Sequence, residues 1–214
     1  NSFLGNLDKI PVYIQDCKDM DIEILEPDIN ESETKFTVVN NKIRFGLGTV
    51  KNVGVGAVDA IVAERNRNGK YESFTSFCER IQNESVNKKC IESLIKSGTF
   101  AEFPETRATL IASFETIIDT IQSHNKKGMA GQVSMFDLGG SQEENNLNEI
   151  KYNFTELPEL NERELLSMEK EMLGIYISGH PLAKIREQII KLTNIDTMKM
   201  MELKEEVDST GNTT

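Results

Sequence analysis

Tryptophan is absent from the 214 residues, histidine occurs twice, and the three cysteines stand far apart. Cys17, Cys78 and Cys90 are odd in number and form no C-x-x-C pair. That leaves no disulfide framework and suits free, mostly buried thiols in a reducing compartment. His124 and His180 are too isolated to complete a zinc or iron site with those thiols, so no metal is expected. No stretch approaches the roughly 18 apolar residues of a membrane span, and no charged start runs into an apolar segment as in a secretory leader. No membrane partner is expected. The serines show no G-x-S-x-G or comparable nucleophile context. Asp19-Met20-Asp21 has the spacing of carboxylates that hold two metal ions for phosphoryl transfer. It sits at a helix end beside Glu23 and Glu26 with no third carboxylate in a strand, and reads as a solvated acidic turn. No catalytic constellation emerges.

Hydrophobic residues make up 38% of the chain and charged residues 28%, as in a globular protein of one large or two small domains. The chain opens on Asn1 rather than Met and is read as a piece of something longer. The net charge of −11 argues at first against nucleic acid, but it is unevenly spread. Residues 1–40 carry 3 basic and 9 acidic side chains (−6), residues 41–100 carry 10 and 6 (+4), residues 101–150 come to −5 and 151–214 to −4. A polyanion within about 10 Å feels the local balance, because salt screens the rest.

Periodicity predicts a helix after Pro11, with Val12, Tyr13, Cys17 and Met20 at helical spacing. An extended piece with a Pro-Asp turn follows. KFTVVNNKIRFGL then reads as two short strands around Asn40-Asn41, a pair suited to a tight hairpin. Further helices are expected over 55–67, with Val58, Ile61 and Val62 on one face and Asn68-Gly69 as the stop. Others are expected over 74–81, from an Asn87 cap to Gly98, over 107–124, over 162–177 and over LAKIREQIIKL. The expected class is mainly α: a helix-hairpin-helix domain of short helices, with a small β-hairpin near the N-terminal part. No βαβ alternation appears, so a parallel sheet is not expected.

The segment LGTVKNVGVGAVDAIV, residues 47–62, has the spacing of two helices joined by a glycine-containing hairpin. Hairpin N–H groups and the first turn of the second helix lie at a positive dipole end and can bind phosphate without reading bases. Lys51, Asn52, Val53, Gly54, Val55 and Gly56 are the candidate DNA-binding residues, with Lys42, Arg44, Arg65 and Arg67 adding longer-range attraction. The first hairpin glycine is replaced by Asn52, the non-glycine residue that best tolerates the left-handed conformation. The alternative is a glycine-rich corner that only packs. A second unit, FTSFCERI followed by VNKKCIESLIKSGTF, lacks G-x-G in its connection and reads as packing. Within the polar, glycine-rich stretch after residue 124, QVSMF offers Gln132, Met135 and Phe136, with Leu138 as a third anchor. That pattern suits a short ligand for an apolar pocket on another protein, worth about 6–8 kcal/mol, or roughly micromolar affinity. The same side chains could instead fold back under their own loop.

NLDKIPVYIQDCKDMDIEILEPDINESE, FTVVNNKIRFGLGTVKNVGVGAVDAIVAER, VNKKCIESLIKSGTF, QVSMFDL and ELLSMEKEMLGIYISGHPL resemble, in this order, the bacterial C-family replicative DNA polymerases. The resemblance covers nearly the whole chain. It implies the end of the fingers domain over 1–45 and a duplex-DNA- and clamp-binding helix-hairpin-helix domain over 46–182, with 125–150 a flexible loop. A helix and linker towards an OB-fold would follow over 183–214. It implies that residues 52–56 touch the duplex backbone, and that Gln132, Met135 and Phe136 form the internal peptide for the sliding clamp, the beta subunit. Other replisome subunits would be engaged through regions beyond the chain, in the bacterial cytoplasm. The family's catalytic aspartates belong to the palm, so no catalytic residue and no cofactor is expected here. Magnesium would serve the parent polymerase, a nucleotidyltransferase. Two other readings remain: a stand-alone helix-hairpin-helix protein of repair or recombination, and an adaptor that never touches DNA.

Overall fold

A computed structural model of the chain describes residues 10–81, 85–137, 151–179 and 181–182, with the side chains of 10, 11, 15, 18 and 127–137 outside the description. The chain divides into two compact units, Asn1–Ser178 and Gly179–Thr214. The expected helix over LAKIREQIIKL falls outside the described residues, as do Leu138 and the rest of 138–150. The described part of the first unit is mainly helical with one small sheet.

Helix α1 spans Ile10–Asp19. Its inward residue is Ile14, while Val12, Tyr13 and Met20 are exposed. Ile14 and half-buried Cys17 share one i, i+3 stripe; of the expected set only Cys17 lies on it. Strands β1 (Ile24–Leu25), β2 (Thr37–Val39) and β3 (Lys42–Arg44) form a sheet in the order β1-β3-β2. The β2–β3 hairpin turns on Asn40 and Asn41, both at positive φ (50° and 62°), which matches the right-handed twist of its strands. The β1–β3 pair is parallel, against expectation: the chain crosses from β1 to β3 through residues 26–41 without a helix, and β2 pairs on the far side of β3.

Past β3 the chain makes a 3-10 turn, Leu47–Thr49, pressed against residues 33–35. Leu47 N–H donates to the Glu33 carbonyl (2.9 Å) and Gly48 N–H to that of Thr34 (3.1 Å). A Cβ on Gly46 would lie 2.6 Å from the Lys35 carbonyl carbon and 2.8 Å from Thr34 O, so only glycine fits. Helices α2 (Val55–Asn68), α3 (Phe74–Arg80), α4 (Lys88–Lys96), α5 (Arg107–Asp137) and α6 (Glu162–Leu173) follow. Gly69 stops α2 at φ 82°. Helix α6 opens with a capping box between Asn161 and Glu164. It ends four residues before the expected limit, because Gly174 adopts φ 78° and its N–H closes onto Lys170 O.

One core runs through these elements. Phe100 meets Phe74 at 5.1 Å and Phe77 at 5.0 Å in edge-on contacts. Tyr71 is sealed beside them, its hydroxyl donating to Ile61 O (2.9 Å) and burial pushing its pKa up to about 12. The boundary expected at 45/46 does not coincide with a break in packing. Asn30 exchanges two hydrogen bonds with the backbone of Tyr71, and Ile29 N–H donates to Thr99 O at 3.0 Å.

Replacing Gly46 with Ala should lower stability by about 2–3 kcal/mol through overpacking. Val38→Thr, on the exposed face of β2, should stay within about 0.5 kcal/mol. Urea unfolding of both variants checks the pair.

Candidate nucleic-acid interface

The chain reverses between Val50 and Gly54. Val50 and Val53 point into the core, while Lys51, Asn52, Gly54, Val55 and Gly56 are exposed. Asn52 takes φ 64°, as its residue type allows. Three bonds hold the reversal: Val53 N–H to Val50 O (3.1 Å), Lys51 N–H to Met172 O at the end of α6 (2.9 Å), and the Asn52 side-chain amide to Ser93 Oγ on α4 (3.1 Å). The first arm is the 3-10 turn rather than an α-helix, a departure from two full helices. Its backbone is engaged with residues 33–34, and Gly46 and Gly48 pack against Thr34 and Lys35.

Gly54 is the N-cap of α2, in extended conformation (φ −76°, ψ 155°), with no side chain closing the helix start and no acid in the first turn. The Gly54 carbonyl receives the Ala57 and Val58 amides. The N–H groups of Gly54, Val55 and Gly56 have no acceptor among the described residues. The starts of α3, α4, α5 and α6 are closed. Ser73 accepts from Ser76 N–H, Asn87 from Cys90 N–H, Asn161 from Glu164 N–H, and the Glu159 carboxylate takes the Arg107 and Ala108 amides of α5. A Cβ on Gly54 would meet nothing within 4 Å, and one on Gly56 would make only ordinary contact with Ser85 Oγ at 3.5 Å. Open space and unpaired amides thus coincide at the positive end of a 14-residue helix.

The α3–α4 unit turns its apolar side chains inward, with Phe74, Phe77, Cys78, Cys90, Ile91, Leu94 and Ile95 buried. Burial alone pushes the Cys90 thiol up to about 11, so it stays protonated and inert. Asn87 occupies the start of α4, and this unit contributes packing.

The basic segment is largely neutralised in the fold. Of the ten basic residues in 41–100, seven meet a carboxylate. Lys42 pairs with Glu23, Arg44 with Glu31, Arg80 with Glu64 and Lys88 with Asp119. Lys96 and Lys89 both bond Glu92, and these two hydrogen bonds hold its carboxyl below the usual range. Arg65 is buried: it donates to Ile29 O (3.1 Å), Ser32 O (2.9 Å) and Glu33 (2.6 Å). Arg44 and Arg65 are therefore structural and Lys42 is offset by an exposed partner, correcting the attraction expected of them. Among the described residues Lys51, Arg67 and Lys70 have no ion pair within 4 Å, and only Lys51 adjoins the helix start. Arg67 lies some 20 Å along α2.

Gln132, Met135 and Phe136 lie on α5, whose backbone stays helical to Asp137, so residues 125–137 of the expected loop are helical instead. Gly128 and Gly131 each cost a helix about 1 kcal/mol. Extending a helix already formed over 107–124 costs far less than nucleating one, and the Lys, Met, Ala and Gln residues around the glycines favour it. Ile121 is the last residue of α5 described as buried.

The sequence reading missed Ser93 and Met172. A serine within the apolar stripe of α4 was the available signal for Ser93, whereas the Met172 carbonyl left none. Among the described residues, no group of three or more His, Cys, Asp and Glu gathers to hold a metal, and no helix is long and apolar enough to cross a membrane. Arg65→Ala should cost about 2–4 kcal/mol, since it strands two buried carbonyls. Arg67→Ala should cost less than about 0.5 kcal/mol. Thermal denaturation separates the two.

A family model described as a helix-hairpin-helix motif matches residues 21–110, which contain the whole reversal and α2. DNA polymerase III subunit alpha of Borreliella burgdorferi is 36% identical over 203 residues, covering 95% of this chain and 17% of that protein. The same subunit of Saccharopolyspora erythraea is 38% identical over 181 residues (83% and 15%), and that of Vibrio cholerae 33% over 192 (89% and 16%). The chain thus spans about one sixth of the length of the curated relatives it matches. With an uncapped helix start inside the matched motif, and identity running across nearly all of its residues, the chain belongs to the DNA polymerase III alpha subunit family.

Proposed function

We propose that this chain is the non-catalytic, duplex-holding segment of a bacterial replicative DNA polymerase, working in the cytoplasm. The Gly54, Val55 and Gly56 amides receive a backbone phosphate of the duplex, and Lys51 adds charge beside them. The observation that carries this is the open N-terminus of α2 within a helix-hairpin-helix match. Contacts of this kind hold DNA without reading its sequence. They leave the chemistry to parts of the polymerase outside this chain, where the magnesium would also act. In the same reading Gln132, Met135, Phe136 and Leu138 are captured by the sliding clamp. What supports that is the family's order of blocks and the exposed or half-buried residues 122–126 that follow Ile121, the last residue of α5 described as buried. Gln132 lies 11 residues beyond it, about 16 Å along the helix. Duplex and clamp held together would tighten each other by effective concentration.

Two measurements test the reading. Binding of a short duplex should be independent of sequence and should weaken with salt at a log–log slope of roughly −2 to −3, two or three phosphates' worth. A flat salt response, or no binding even near 20 mM salt, contradicts it. Val55→Glu separates binding from folding: an acid in the first turn of α2 should raise stability by about 0.3–1 kcal/mol while abolishing duplex binding. For the clamp, Phe136→Ala should lower affinity at least tenfold, and equal binding by wild type and variant removes the peptide from the proposal.

A further inference from the structure

We infer that the Asn52 side chain is a positioning residue for the phosphate site, tying the left-handed turn to α4 through Ser93. This rests on the duplex-holding reading above and adds how its geometry is kept. Backbone conformation alone does not explain an asparagine at this position. Glycine reaches φ 64° without a Cβ penalty, and asparagine does so at some cost. What asparagine adds is a donor. Its Nδ2 reaches Ser93 Oγ at 3.1 Å, across 41 residues of sequence, and Ser93 is buried, as are Cys90, Ile91, Leu94 and Ile95 of the same helix. On the other side of the turn Lys51 N–H is held by Met172 O of α6. The turn is therefore fastened to two helices, with Val53 buried beneath it.

These fastenings act on particular amides. Helix α2 itself sets the Val55 and Gly56 N–H groups. The peptide planes carrying the Asn52 and Gly54 N–H groups belong to the turn, and neither group has an acceptor among the described residues. Without the Ser93 tether both planes can swing, and the donors no longer converge on one phosphate. A preorganised donor costs less to use than one that must be ordered on binding.

Asn52→Gly keeps the positive φ and removes the tether. Ser93→Ala removes the acceptor at nearly constant volume within a helix. Duplex affinity at low salt, and hydrogen exchange at the Lys51 and Val53 amides, are measured for both variants and their combination. Each single variant should bind about three- to tenfold more weakly, one hydrogen bond's worth. The double variant should be no weaker than the poorer single, and both amides should exchange faster. Melting temperature should be nearly unchanged. Duplex affinity equal to wild type in either single variant, or losses that multiply in the double, overturns the tether. Failure of the wild-type chain to bind duplex overturns the phosphate reading instead. Exchange then decides the tether by itself: faster exchange sustains it and unchanged exchange ends it.

Discussion

Val53 must lie inside while its neighbours on both sides lie outside, and the chain must reverse within four residues to allow it. That requirement fixes the rest of the site. Burying Val53 above Val50 forces a left-handed residue at 52 and turns the Lys51 amide towards α6. It also delivers the chain to α2 at Gly54 with no side chain able to cap the helix. In ordinary helices the first turn's amides are closed by a Ser, Asn or Asp at the N-cap, worth about 1 kcal/mol over alanine and a few tenths over glycine. Here that stabilisation is forgone at one helix, while α3, α4, α5 and α6 all have it. An uncapped helix start in open space leaves its amides available to an anion, which is what the proposed phosphate contact uses.

The platform beneath is fastened across the chain. Residues 27–33 do not form a separate layer: Asn30 is bonded to Tyr71, Ile29 to Thr99, and Arg65 of α2 reaches back to Ile29, Ser32 and Glu33. Arg65 and the aromatic cluster of Tyr71, Phe74, Phe77 and Phe100 hold α2 at its middle and far end, so its exposed start is a fixed point. Rigidity matters because a phosphate site built from amides works only if the amides need not be rearranged when the anion arrives.

Much of this was legible in the sequence where the signal is local. The Asn40-Asn41 hairpin, the Gly69 stop of α2 and the Asn87 cap of α4 are written in residues next to the features they cause. The left-handed Asn52 is local too, since few other side chains tolerate that conformation. The failures share the opposite property. Counting charges along the chain assigned Lys42, Arg44 and Arg65 to a polyanion. Their carboxylates, Glu23, Glu31 and Glu33, stand in the acidic stretch before them, and only folding brings the two stretches together. The parallel β1–β3 pair and the Ser93 partner of Asn52 are equally non-local. The ends of α5 and α6 failed for another reason: glycine ended the one at 174 and did not end the other at 128 or 131. Whether a glycine stops a helix depends on whether the next residues gain more by leaving it.

The central claim concerns three N–H groups, and it is tested at those groups. Titrating a short DNA duplex of arbitrary sequence into the 15N-labelled chain at low salt reports each amide separately. The account predicts that the largest shifts fall on Gly54, Val55 and Gly56, with Lys51 and Asn52 next, and that added salt reverses them. If duplex binds while these amides stay still, and the shifts collect at Arg67 and Lys70 or elsewhere, the start of α2 is not where DNA is held.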